Sequence, residues 1–171
     1  ILSKGAASGA RLFLGYDNGS DRFAFSFADT TGTTSIVSDN TLGSPSTDTF
    51  YLLTAWHDAT ADTVNIQVNT GASNSAATAG RLPGAETGPF EIGRHELNNT
   101  RTLDGRVDEV GFWKKVLTAQ ERRDLYNAGL GNTYNAGVSA AGFGSFDFGA
   151  TTLQWHVVAA GTGIYASSNR G

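Results

Sequence analysis

One stretch limits the fold of this chain more than any other: Leu103–Gly129, reading LDGRVDEVGFWKKVLTAQERRDLYNAG. It predicts a β-strand that runs into one short helix. Val107, Val110, Phe112 and Trp113 supply the apolar residues of the strand. Thr118 and Glu121 spell a capping box, in which the threonine hydroxyl accepts from the amide three residues on and the glutamate reaches back to the cap amide. Leu117 and Leu125 are placed to staple the helix onto a core. Gly129 stands where a left-handed C-cap is wanted. The helix is expected near 118–128, alone in a sequence whose other apolar patterns repeat every second residue.

Those patterns predict strands. Leu12, Leu14 and Tyr16 alternate, Asp17–Asn18–Gly19–Ser20–Asp21 turns the chain, and Phe23, Phe25 and Phe27 alternate on the way back. An Asn-Gly turn between alternating runs is a strong hairpin signal. Thr33–Ser38 reads as a weaker strand, and Asp39–Asp48 as a loop. In Phe50–His57, Tyr51, Leu53 and Ala55 share one face and Leu52, Thr54 and Trp56 the other. Val64, Ile66 and Val68 alternate with Asn65, Gln67 and Asn69, as a half-buried strand does. Gly71–Gly88 is expected to be a long loop with little regular structure. Phe90 and Ile92 begin a short strand, and Leu97–Thr102 reads as a polar loop. Residues 135–171 are Gly/Ala/Ser-rich. Phe146 and Phe148, then Leu153, Trp155 and Val157, predict two further strands in Phe143–Val158, which are expected to pair within the sandwich or with a neighbouring chain. Together these elements predict an all-β chain, an antiparallel β-sandwich with one short helix.

The closing segment resembles that of LamG-like domains (concanavalin A-like lectin/glucanase, laminin G type 3), in which a strand of the form G-R/K-I/V-D-E-V precedes a capped helix ending L-Y-N-x-G. ILSKG at 1–5, YLLTAWHD at 51–58, TVNIQVNTG at 63–71 and PFEIGR at 89–94 resemble family positions in the same order. The resemblance implies a jelly-roll domain over 1–134, lacking the family's first strands, followed by a β-forming extension over 135–171. A chain that begins at Ile1 and has no Met is expected to be a processed product, a fragment or a partial trace. Open sheet edges and only 16% charged residues lead to the expectation of a larger oligomer or array.

Composition excludes some classes of function. The net charge is −4, and Lys114–Lys115 and Arg122–Arg123 are the densest basic pairs, so no nucleic-acid partner is expected. No apolar run approaches the roughly 20 residues of a membrane-spanning helix, and no membrane partner is expected. There is no cysteine for disulfides or thiolate metal sites.

Nothing in the residues spells a catalytic motif. Glucanases of this fold carry two carboxylates in an E-x-D-x-x-E strand, and that pattern does not occur here. On a strand, the adjacent Asp108 and Glu109 would point to opposite faces. His57, His95 and His156 each stand alone in their segments, without Ser or Asp partners at motif spacing. The expectation is no enzyme. Asp108 is the candidate metal ligand, because the resemblance implies a structural calcium near this point. The competing reading has Asp108 and Glu109 bind loop amides or pair with Arg106 or Arg94, since calcium wants six to eight oxygens. Asp17, Asn18 and Asp21 read as an Asx turn rather than a metal site. Trp56 and Trp113 are expected in the core, with Trp155 unassigned. The loops Asp39–Asp48, Gly71–Gly88 and His95–Thr102 are where binding is expected. The resemblance then implies a non-catalytic binding or adhesion module for a glycan or surface protein, extracellular or on a virion surface. The alternative is a structural component of a virion or extracellular assembly.

Overall fold

The computed structural model describes residues 2–5, 11–85, 88–95 and 98–131. Among these residues ten strands and one α-helix follow in order: β1 (Leu2–Gly5), β2 (Arg11–Asp17), β3 (Arg22–Ala28), β4 (Thr34–Ser38), β5 (Leu53–Asp58), β6 (Thr63–Val68), β7 (Asn74–Ala77), β8 (Phe90–Ile92), β9 (Arg94–His95), β10 (Asn98–Thr102) and α1 (Ala119–Tyr126). A five-stranded sheet has the order β4-β3-β2-β1-β8, and a three-stranded sheet the order β5-β6-β7. β9 and β10 form a separate two-stranded ribbon. All pairings are antiparallel.

Alternation in the sequence becomes two opposed faces. Leu12, Leu14, Phe23, Phe25, Phe27 and Val37 of the larger sheet meet Leu53, Ala55, Val64, Ile66 and Val68 of the smaller one in a single core cluster. Phe25, Phe27, Leu14 and Ile66 are fully buried there. Burial of such side chains is worth about 1.5–3 kcal/mol each, so this layer carries most of the fold's stability. Phe90, Val110 and Phe112 close one side of it. Phe90 and Phe112 meet edge to face at 5.1 Å.

The outer face of the smaller sheet is also covered. Trp56, on the parity opposite to Ala55, is 6% exposed, and the Arg122 guanidinium of α1 lies 4.5 Å from its ring centroid. Arg122 Nε donates to Gln67 Oε1 at 2.6 Å, and the guanidinium donates to the Leu117 carbonyl at 2.5 Å. Leu52, Trp113, Leu125 and Tyr126 form a second, smaller cluster beneath the helix. Both Trp56 and Trp113 are therefore packing residues, although Trp56 packs outside the layer between the sheets.

The helix starts as its spelling requires. Thr118 is the N-cap, Glu121 N donates to Thr118 Oγ1 at 3.2 Å, and Thr118 N donates to Glu121 Oε2 at 2.8 Å. Its end differs from expectation. Asn127, not Gly129, is the left-handed C-cap, at φ 45°, and Ala128 follows at φ 55° before a 3₁₀ turn ends at Gly129.

Four segments correct the sequence reading. Val107–Trp113 forms no strand, because Glu109 takes a left-handed φ of 50° and breaks the extended backbone. The strand expected from Phe50 starts at Leu53, since Leu52 N is held by the Asn69 side chain rather than by a neighbouring strand. Gly71–Gly88 contains β7, where Ala76 pairs with Val64. Leu97–Thr102 contains β10, paired with β9 across a register shift. The strands expected within Phe143–Val158, and Trp155 and His156 with them, lie outside the described residues.

Candidate functional site

The site follows from strand register. Inward residues on the larger sheet are large and apolar, so their neighbours in sequence face outward. Glu91, Ser3, Phe13, Ser26 and Ile36 are successive partners across β8, β1, β2, β3 and β4. They form a row perpendicular to the strands. Beside that row, Gly15 pairs with Ala24 on one side and Ala28 with Thr34 on the other. An outward row holding one phenylalanine and one isoleucine between small residues leaves a depression. The sheet surface carries a solvent-open cavity of about 920 Å³ there, with Phe13, Ala24, Ser26, Ala28 and Ile36 among its lining. Pockets that take small ligands fall in the range of about 300–1,000 Å³.

Polar groups stand at the rim. At one end Tyr16, Asp17 and Asn18 line the cavity, and Arg94, Thr102 and Asp104 line another part of it. The end at Tyr16 is held by the β2–β3 turn. Asp17 Oδ1 accepts from Gly19 N at 3.1 Å, and Asp17 Oδ2 from Ser20 Oγ at 2.7 Å. These bonds, the one from Ser20 first, hold the Asp17 carboxyl below its ordinary pKa. Tyr16 Oη donates to Asp21 Oδ1 at 2.6 Å, which raises the tyrosine pKa and fixes the ring at the cavity edge. Asp21 also accepts from Ser44 Oγ at 2.5 Å, so the turn is tied to the Asp39–Asp48 loop. Arg94 is paired with Glu91, and its own carbonyl accepts from Ser3 Oγ at 2.9 Å.

The Asx turn read at Asp17–Asp21 is thus present, and it belongs to the site. The Asp39–Asp48 loop is pinned by Asp39, which is buried and accepts from Leu42 N at 2.9 Å and from Asn74 Nδ2 at 3.1 Å. Asp108 lies elsewhere, on the irregular segment before α1, and accepts from Glu109 N at 2.9 Å. Among the described residues, no group of three or more His, Asp or Glu comes together that could hold a metal ion. Arg94 pairs with Glu91.

Sequence reasoning looked for binding in the loops and missed the open sheet face. The signal was available: Phe13 and Ile36 fall on the parity opposite to a complete apolar set, where a solvated face would carry polar residues, and Ile36 proves to be 51% exposed.

Two antiparallel sheets packed face to face, one with an open groove on its outer surface, define a lectin-like β-sandwich. A family model described as the concanavalin A-like lectin/glucanases superfamily (Laminin_G_3) matches residues 1–121, and the chain belongs to this family. No curated protein and no solved structure matches.

Proposed function

We propose that this domain is a non-catalytic binding module that holds an extended carbohydrate in the groove on its five-stranded sheet. The observation that carries the reading is the open groove itself, where Phe13 and Ile36 stand beside Ser26, Ala24 and Ala28 and hydrogen-bonding groups stand at the rim. A pyranose presents an apolar face to an aromatic ring and hydroxyls at its edge, and this groove offers both complements. Asp17 and Asn18 at one end and Arg94, Thr102 and Asp104 at another are placed to read those hydroxyls. Family membership supports the same reading, since the superfamily takes its name from lectins as well as glucanases. The sequence does not spell the E-x-D-x-x-E carboxylate pattern of the glucanases.

A glycan array with the intact chain, followed by calorimetric titration of the best hit, tests the proposal. Binding that disappears in Phe13→Ala with an unchanged melting midpoint is the expected result. Binding that persists in that variant overturns the placement. Silence across the array favours the alternative, a structural role in a virion or extracellular assembly.

A further inference from the structure

The turn that contains Asn18–Gly19 does not account for its glycine. This hairpin needs one left-handed residue, and Asp21 supplies it at φ 54°. Gly19 is not in that conformation. A Cβ placed on Gly19 would meet only the Asp17 carboxylate, with Oδ1 at 3.4 Å, an ordinary van der Waals contact. Neither backbone nor space therefore demands glycine at this position.

Glycine does provide a reactive neighbour. With no side chain, it leaves its backbone nitrogen open to approach by the preceding carboxamide. Asn18–Gly19 is the only Asn–Gly step in the chain, and both residues are exposed. The side chains of Asn65, Asn69, Asn74 and Asn127 are each engaged in hydrogen bonds. The Asn18 carboxamide makes none to the described residues. The Gly19 N–H, whose nitrogen would be the nucleophile, already points at a carboxylate oxygen, Asp17 Oδ1, 3.1 Å away. A positioned acceptor for the departing proton assists such an attack.

We propose that Asn18–Gly19 is a self-modification site that converts to aspartate and isoaspartate in the folded protein. The Gly19 nitrogen bonds to Asn18 Cγ, its proton leaves toward Asp17, and the bond from Cγ to the side-chain nitrogen breaks. Ammonia departs with that proton, and a five-membered succinimide remains. Water then adds to either ring carbonyl and opens the ring. One water is consumed and one ammonia released, with no change of oxidation state. The product places a second carboxylate beside Asp17 on the groove rim, and in the isoaspartate form it lengthens the turn backbone by a methylene. The modification itself needs no groove ligand, so it stands or falls separately from carbohydrate binding.

The test is to age the intact protein at mildly alkaline pH and assay it with an isoaspartate-specific methyltransferase, mapping the labelled peptide by mass spectrometry. Label at residue 18 is expected, with loss of that label in Gly19→Ala at an unchanged melting midpoint. Should Gly19→Ala fold poorly, Asn18→Gln serves instead and is also expected to lose the label. A synthetic peptide spanning 14–24 is the control. If that peptide is modified while the folded protein is not, the folded turn blocks the attack and the proposal fails.

Discussion

At the scale of single residues, two positions store consequences that a variant can read out. A Cβ on Gly111 would lie 2.6 Å from the Trp113 ring, far inside contact distance. The ring lies against the backbone there, and it also packs on Leu52. Gly111→Ala must push the indole out of this cluster, and we expect a loss of about 1–3 kcal/mol by denaturant titration. A midpoint equal to that of the parent would show that the ring has room to move. His57 makes a different expectation. It is 3% exposed, stacks edge to face on Phe27 at 5.0 Å, and its Nε2 has no hydrogen-bond partner among the described residues. Burial lowers its pKa, although the charges of Asp58 and Asp62 pull the other way. The unfolded chain therefore takes up this proton first as pH falls, and stability declines as pH drops below about 6.5. His57→Phe, which keeps a ring against Phe27, is expected to flatten that decline. Melting midpoints of both proteins at neutral and mildly acid pH decide the matter, and parallel curves would assign the acid sensitivity to other groups.

At the scale of elements, local chemistry was readable where it closed on itself. The capping box is an example: Thr118 and Glu121 are three residues apart and satisfy each other's backbone amides whatever the tertiary fold. The Glu121 carboxyl is held down to about 2 by the Lys115 ammonium and by the Thr118 amide, so the box keeps its charge at any physiological pH. Thr118→Ala is expected to cost about 1 kcal/mol, and an unchanged thermal midpoint would show that packing alone holds the helix. The β2–β3 hairpin was readable for the same reason, because two alternating runs, Leu12–Tyr16 and Phe23–Phe27, flank a short turn and pair with each other. Elements settled by distant partners were not. β7 reads as polar loop because its only apolar residues are two alanines, and it exists by pairing with β6. β10 has a wholly polar sequence and depends on β9. Conversely, Val107–Trp113 has strand composition but serves as a wrap. The left-handed Glu109 turns it so that Val110 and Phe112 reach the main core while Trp113 joins the cluster under α1. Alternation cannot reveal a backbone reversal that Glu, a residue with no left-handed preference, adopts under tertiary constraint.

At the scale of the whole molecule, the larger sheet has to satisfy two demands with one strand alphabet. Its inner parity holds Phe23, Phe25 and Phe27 against the smaller sheet, and its outer parity holds Phe13, Ser26 and Ile36 over the groove. Because the side-chain period of a strand is two, these sets interleave in sequence yet never share a face. Stability and binding should therefore separate cleanly between adjacent residues. Phe25 is 1% exposed, and Phe25→Ala leaves a cavity between the sheets that is expected to cost about 3–5 kcal/mol. Its cross-strand neighbour Val37 and its partner Leu14 lose contacts at the same time, so no relaxation of one strand alone can fill the space. One residue further on, Ser26→Trp fills the centre of the groove without touching that core. It is expected to abolish carbohydrate binding while the denaturation midpoint stays within about 0.5 kcal/mol of the parent, as for surface substitutions generally. Paired denaturation and titration experiments on the two variants make the comparison. If Ser26→Trp unfolds the protein, the two faces of the sheet are coupled. If it folds and still binds, the ligand sits elsewhere on the sandwich.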